Sequence, residues 1–225
     1  MKFIKVLLSI ILCLLSDFIV LFSTIYFIVL NPYYLMSRYK VYRTAQALKI
    51  SEADLREIVI NLSNYLRGFS SLENKEYLIN NKTLLFYQPE DLIHLNDVNH
   101  FISVLKIMCI IFVIISVLLL LYFIKSKYFS YTRNGFIIGN LILLALILFI
   151  GISAATNLDL TIRIGHSLFA TNKYWILSSA FSRLIRLCPE KLFIDAGIIT
   201  GVVLLSYMIL STTILNIFTR LQHHR

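Results

Sequence analysis

Four long apolar runs constrain the fold of this 225-residue chain more than any other feature. Each run is long enough for a helix across a bilayer, which takes roughly 20 residues at about 1.5 Å per residue. Hydrophobic residues make up 58% of the chain and charged residues only 15%, which is outside the usual range of soluble proteins. We therefore predict an all-α membrane protein, a four-transmembrane-helix bundle with helices at residues 1–30, 101–124, 135–155 and 193–218.

Lysine and arginine residues beside these runs predict the orientation in the cell membrane. The N-terminus, the 125–134 connection and the 219–225 tail carry basic residues and no acids, so we expect all three to be cytoplasmic. The connections at 31–100 and 156–192 would then be extracellular, and the shorter one mixes five basic with two acidic residues. The net charge of +9 fits this topology and contact with the phospholipid membrane, and we expect no nucleic-acid partner.

The connection at residues 31–100 is too long for a plain loop and contains periodic structure. Ser51 is suited to cap a helix that Gly68 ends. The apolar stripe of this helix consists of Leu55, Ile58, Val59, Leu62, Tyr65 and Leu66. Segments 76–79 and 83–87 flank a polar turn and predict a hairpin. We expect a small extracellular α+β cap that packs on the outer ends of the helices.

Ionisable residues next to the second apolar run are the first candidates for chemistry. His94 and Asp97 are three residues apart, which in a helix places them on one face. His166 lies in the 156–192 connection together with Trp175, the single tryptophan, a residue typical of membrane interfaces. We therefore expect His94 and His166 to lie at a similar depth. His100 is six residues from His94 and points elsewhere on the helix.

Five short motifs occur in an order that matches a known family. They are Tyr65-Leu66-Arg67-Gly68, His94-x-x-Asp97-Val98, Gly165-His166-x-x-Phe169, Asn172-x-x-Trp175 and Pro189-Glu190-x-x-Phe193. With the four predicted spans, this order resembles the Lit family, the lipoprotein intramolecular transacylases of Gram-positive bacteria. The resemblance implies an acyltransferase that moves the sn-2 acyl chain of a diacylated lipoprotein onto the α-amino group of its N-terminal cysteine. It also implies that His94 and His166 are essential and that the product is an N-acyl, lyso-form lipoprotein.

Histidine suits this reaction on chemical grounds. An α-amine has a pKa near ~8 and is mostly protonated at neutral pH, so its attack on an ester needs a base, and a histidine with a reference pKa of about 6.5 is suited to be that base. We expect His94, oriented by Asp97, to be the general base and His166 to polarise the ester or protonate the leaving oxygen. Exchanged roles, or transient acylation of His94, fit the sequence equally well. Because amine and ester belong to one molecule, we expect no cofactor.

Five further residues are candidates for substrate binding. Asp17 lies inside the first apolar run, where a carboxyl group must face protein or water. It can serve as a structural contact or as part of a head-group pocket. The others, which can hold lipid carbonyl or phosphate groups or lie at the interface, are Arg163, Trp175, Arg183 and Arg186.

Other function classes fit the sequence less well. A metalloenzyme could use His94, Asp97, His100 and His166, but His100 faces away from His94, which leaves too few ligands. No His-Glu-x-x-His motif is present and the three cysteines share no ligand-like spacing, so we expect no metal. A transporter would need internal repeats or binding groups near the membrane centre. The main alternative is a noncatalytic membrane-anchored module that binds lipid or lipoprotein.

Overall fold

The computed structural model describes residues 2–126, 128–169, 172–176 and 182–223, which are mainly helical. The helices are α1 (Lys2–Thr24, continued by a π-helical turn at Ile25–Val29), α2 (Pro32–Tyr42), α3 (Thr44–Leu48), α4 (Glu52–Leu66), α5 (Pro89–Ser126), α6 (Phe129–Thr156), α7 (Leu158–Phe169), α8 (Arg183–Leu187) and α9 (Glu190–His223). The strands are β1 (Glu76–Ile79) and β2 (Lys82–Leu85).

Among the described residues, four stretches of helix are long and apolar enough to cross a membrane, which confirms the predicted class of fold. They are Lys2–Val29, Pro89–Ser126, Ser130–Thr156 and Glu190–Leu221. The second is one continuous helix of 38 residues, longer than the roughly 20 residues that a bilayer requires. The polar stretch that contains His94 and Asp97 is therefore the N-terminal part of α5, before the apolar run that starts at Phe101.

The chain divides into two compact units. The first unit consists of Met1–Ser23, Lys106–Arg163 and Ile199–Arg225, and the second unit consists of Thr24–Leu105 and Ile164–Ile198. The first unit holds most of the apolar helical runs. The second holds the predicted cap together with both candidate histidines.

Small residues bring α1 and α6 close together in the first unit. A Cβ atom at Gly135 would lie 2.2 Å from Ser9 Cβ, and one at Gly139 would lie 2.8 Å from Cys13 Sγ. Ser9 and Cys13 are fully buried. Each helix thus contributes two small residues four positions apart, a spacing that lets membrane helices pack backbone against backbone. Asn140 extends this contact by donating hydrogen bonds to Thr212 Oγ1 and to the carbonyl oxygen of Met208 on α9.

We expect Gly135→Leu to lower the free energy of unfolding by at least about 2 kcal/mol, because the new side chain has no space beside Ser9. The measurement is the midpoint of thermal unfolding in detergent micelles. Gly151→Leu is the matched control in the same helix, since a Cβ there meets no described atom within 4 Å. Equal midpoints for the two variants would contradict the close contact.

The helix predicted in the cap is confirmed as α4. Ser51 Oγ accepts a hydrogen bond from Asp54 N at 3.0 Å, and Gly68 follows the helix with a φ of 77°. The predicted stripe faces a core that α8 and the N-terminal part of α5 also join. Its buried residues include Leu55, Ile58, Val59, Leu62, Tyr77, Ile79, Phe86, Leu95, Leu184 and Leu187.

The hairpin is also present, with a shorter turn than predicted. Asn80 and Asn81 have φ angles of 51° and 61°, and Ile79 pairs directly with Lys82. Two consecutive left-handed residues make a tight two-residue turn, so Lys82 is the first residue of β2 and not part of the turn. The second strand ends at Leu85 and not at residue 87.

Candidate active site

His94 and His166 lie side by side in the second unit. His94 comes from the N-terminal part of α5 and His166 from α7, and their ring centroids are 5.8 Å apart with an angle of 34° between the ring planes. Both side chains are half-buried. The fold thus brings together two imidazoles that are 72 positions apart in the sequence.

The indole ring of Trp175 stacks on the imidazole ring of His166. The two ring centroids are 5.2 Å apart and the planes differ by 20°. Trp175 is held by the segment that precedes it, because Asn172 Oδ1 accepts a hydrogen bond from Tyr174 N at 2.9 Å. Aromatic stacking of this kind restricts how the imidazole of His166 can rotate.

Asp97 contacts this same segment. Its carboxylate accepts a hydrogen bond from Asn172 Nδ2 at 2.6 Å, whereas the sequence led us to expect a bond to His94. None of the described residues forms a hydrogen bond with His94, which leaves its ring nitrogens available to a bound molecule. Asp97 therefore links α5 to the segment that carries Trp175. His100, as expected, is exposed and takes no part in the pair.

Asp91 is a residue of this region that the sequence analysis did not single out. It is fully buried one turn before His94, and its carboxylate accepts hydrogen bonds from Ser182 Oγ at 2.6 Å and Gln88 N at 2.9 Å. The bond to Gln88 is one half of a capping box at the start of α5. The sequence signal for this capping box was an acidic residue, Asp91, three positions after Gln88 at the start of the helix. The bond to Ser182 ties α5 to α8.

The three candidate arginines have different surroundings. Arg163 is largely exposed and pairs with Asp159. Arg183 donates hydrogen bonds to the carbonyl oxygens of Leu85 at 3.1 Å and Phe86 at 3.4 Å. Arg186 is half-buried, its Nε atom is buried without a partner, and no hydrogen bond or ion pair joins it to the described residues. Among the three candidate arginines, Arg186 is thus the one with no acceptor among the described residues.

Asp17 lies in the first unit. Its side chain is buried, and its Oδ2 atom accepts a hydrogen bond from Cys13 Sγ at 3.4 Å. The Sγ atom of Cys13 also contacts Asn140 Oδ1 at 3.2 Å. Asp17 is thus part of a polar contact among helices of the first unit.

Cys188 is the cysteine of the second unit, and it is unsuited to act as a nucleophile. It packs against the buried core, and burial raises the pKa of its thiol to about 12. The thiol therefore stays protonated at neutral pH, whereas nucleophilic attack requires the thiolate. Covalent chemistry at the site, if it involves a protein atom, has to use another residue.

Four apolar helices and a pair of adjacent imidazoles define a multi-pass membrane protein with a site equipped for proton transfer. The family model described as lipoprotein intramolecular transacylase Lit matches residues 7–193. The chain belongs to the Lit family. It is therefore an acyltransferase of the cell membrane that acts on lipoproteins.

Solved structures with a similar fold are known. Three structures of the membrane-integral lipoprotein intramolecular transacylase Lit from Bacillus cereus match this chain at 17% identity, with TM-scores of 0.74, 0.75 and 0.76. The matches cover 100% of this chain and 94–99% of the Bacillus cereus chains. Two of those structures carry an arginine or an alanine in place of a histidine. No curated protein sequence matches the chain.

Proposed function

We propose that this chain transfers the sn-2 acyl chain of a diacylglyceryl-cysteine lipoprotein to the α-amino group of that cysteine. The observation that carries the proposal is the 5.8 Å separation of the His94 and His166 rings, close enough for both to contact one ester and one amine. In the reaction an amide C–N bond forms and the ester C–O bond breaks. One proton leaves the amine and one proton is taken up by the glyceryl oxygen, so no cofactor is required.

His94 acts as the general base in this proposal. Its ring nitrogens are not engaged by the described residues, so one of them can accept the proton of the attacking amine. His166, oriented by Trp175, donates to the ester oxygen or protonates the leaving glyceryl oxygen. Two imidazolium cations at this distance would repel each other, which favours a pair that carries a single proton and passes it from nucleophile to leaving group.

Asp97 is a positioning residue in this scheme. It binds Asn172, and Asn172 belongs to the segment whose Trp175 stacks on His166. Its effect on the reaction is therefore indirect, through the orientation of the His166 ring. Asp91 is also a positioning residue, because its hydrogen bonds fix the start of α5 one turn before His94.

Arg186 is the substrate-binding arginine in this proposal. The half-buried guanidinium of Arg186 has no acceptor among the described residues, and burying such a group is costly unless a bound group supplies an acceptor. Diacylated lipoprotein offers ester and peptide carbonyl oxygens, which are suitable acceptors. Arg183 has a structural role, because it donates a hydrogen bond to the carbonyl oxygen of Leu85 at the end of the hairpin. Asp17 and Arg163 also have structural roles, through their contacts with Cys13 and Asp159.

The reaction is proposed to occur at the extracellular face of the membrane. The support is the distribution of lysine and arginine, which favours cytoplasmic termini and a cytoplasmic connection between α5 and α6. His94 lies between the first and second apolar runs and His166 lies between the third and fourth, so both belong to the connections that we predict to be extracellular. Lipoproteins carry their diacylglyceryl group at this face, where the amine is accessible.

Mass spectrometry of a lipoprotein's N-terminal peptide tests the proposal. The chain is expressed in a host without its own N-acyltransferase, and the peptide is compared with that from a host carrying an empty vector. We expect an N-acyl, mono-O-acyl cysteine of the same total mass as the diacyl form, with fragmentation placing one acyl chain on nitrogen. An unchanged diacyl peptide, with folded protein in the membrane, would instead favour the noncatalytic binding module.

A further inference from the structure

Arg67 is a motif residue to which the proposed reaction assigns no role. It directly follows α4 and belongs to the Tyr65-Leu66-Arg67-Gly68 motif. Two hydrogen bonds fasten this end of α4 to the end of the first span. Tyr26 Oη donates to the carbonyl oxygen of Arg67 at 2.7 Å, and Ser63 Oγ donates to the carbonyl oxygen of Leu30. Arg67 is therefore anchored where the first apolar stretch ends.

The end of the first span is a membrane–water boundary. The stretch Lys2–Val29 is long and apolar enough to cross a bilayer, and the polar residue Asn31 follows it and caps α2. The polar head groups of phospholipids lie at such a boundary. Phe27 and Phe69 are 61% and 62% exposed, as expected of aromatic residues that contact lipid at the interface. A residue anchored here is within reach of the lipid phosphate groups.

Two aromatic rings hold the guanidinium group of Arg67. Its Cζ atom is 4.6 Å from the centroid of the Phe69 ring and 5.6 Å from the centroid of the Tyr26 ring. An arginine that stacks on aromatic faces still directs its N–H groups outward in the guanidinium plane. None of the described residues accepts a hydrogen bond from this side chain, and its Nε atom is buried. The site is thus a positively charged donor that lacks an acceptor.

Protein carboxylates satisfy other basic residues of the second unit. Arg38 forms an ion pair with Asp195 at 3.4 Å, and Lys75 forms one with Glu57 at 2.8 Å. Arg67 has no acidic partner among the described residues. A buried polar atom without a partner is costly, so the arrangement favours an anion that binds from outside the protein.

We propose that Arg67, together with Tyr26 and Phe69, binds the phosphate group of a membrane phospholipid. A phosphate diester carries a negative charge and two oxygens that a guanidinium can hold with parallel hydrogen bonds. The substrate of the proposed reaction is a different ligand, because diacylglyceryl-cysteine has ester and peptide oxygens but no phosphate. The bound phospholipid fastens the end of α4 to the lipid layer. This inference does not depend on the proposed function.

Thermal unfolding of the purified full-length protein in a nonionic detergent tests the inference. We expect dioleoylphosphatidylglycerol to raise the midpoint of unfolding of the wild type by about 4 °C or more. Dioleoylglycerol has the same acyl chains without the phosphate, and inorganic phosphate has no acyl chains. Neither should raise the midpoint by more than about 1 °C at the same concentration. An equal rise with either compound would overturn the proposal, because the ligand would then not be a phospholipid phosphate.

Variants of the site complete the test. In Arg67→Gln the rise caused by phosphatidylglycerol should disappear, and in Phe69→Ala it should be smaller, because the guanidinium loses the ring that holds it. Arg56→Gln is the matched control, since Arg56 is an exposed arginine of α4 outside the site, and it should keep the full rise.

A wild-type rise in Arg67→Gln would overturn the proposal. Loss of the rise in Arg56→Gln as well would do the same, because it would indicate an unspecific effect of positive charge. If Arg67→Gln does not fold, Phe69→Ala decides, since the exposed Phe69 ring contributes little to the core. A wild-type rise in that variant would then overturn the proposal.

Discussion

Replacing His94 or His166 by alanine should reduce N-acylation of a lipoprotein by at least about 100-fold, which is the lower end of what one positioned acid or base contributes. The expectation follows from the contact between the two rings, because a proton taken from the amine has to be returned to the glyceryl oxygen. Both variants should fold, since the two side chains are only half-buried. The readout is the fraction of N-acylated N-terminal peptide in a host without its own N-acyltransferase.

His100→Ala is the control for this experiment. His100 lies on the same helix as His94 but is exposed and does not contact the pair, so its replacement should leave N-acylation within about twofold of the wild type. A His94→Ala/His166→Ala double variant that loses no more activity than either single variant would indicate that the two rings act as one unit. Wild-type activity in both variants would remove the histidine pair from the mechanism.

Arg186→Gln should lower kcat/KM by about 10- to 100-fold, because it removes the one candidate guanidinium without an acceptor among the described residues. The loss should appear mainly in KM if Arg186 binds a carbonyl that does not react, and mainly in kcat if it contacts the reacting ester. Its thermal unfolding should change little, since no hydrogen bond or ion pair with the described residues is lost. Steady-state kinetics with a diacylated peptide gives both constants.

Arg183→Gln is the comparison variant that distinguishes a loss of substrate binding from a loss of stability. Arg183 donates to two carbonyl oxygens at the end of the hairpin, so its replacement should lower the midpoint of thermal unfolding. If Arg186→Gln instead unfolds at a lower temperature and keeps the wild-type kcat/KM, Arg186 is a structural residue and the proposed carbonyl contact is wrong.

Periodic features of the fold could be predicted from the sequence. Apolar length fixes the four spans, because a helix must satisfy its own backbone hydrogen bonds in lipid. The stripe from Leu55 to Leu62 fixes α4, because residues three and four apart share a face. The hairpin was predicted from its Asn-Asn turn, with an error of one residue in the turn, since φ angles at these positions are not apparent from residue type alone.

Contacts between distant segments could not be predicted in the same way. The spacing of Gly135 and Gly139 is visible, but their partners Ser9 and Cys13 are more than 100 positions away. The same holds for the bond between Asp91 and Ser182. Helices α7 and α8 were missed because they are short and lie in a connection of mixed charge.

The hydrogen-bonding partner of Asp97 differs from the one that its motif suggested. The spacing of His94 and Asp97 places both on one side of α5, so a direct bond was the simplest reading of the sequence. In the structure, Asn172 is a hydrogen-bonding partner of this carboxylate. Sequence spacing shows which residues share a face but not which of several neighbours a side chain contacts.

The stacking of Trp175 on His166 provides this protein with an internal spectroscopic probe. Trp175 is the single tryptophan of the chain, so indole fluorescence arises from the site alone. The emission of an indole depends on how much water reaches it, so a molecule that binds beside the stacked rings should shift the emission maximum. Fluorescence recorded while a diacylated peptide is added should therefore report binding at the site in an unlabelled membrane protein.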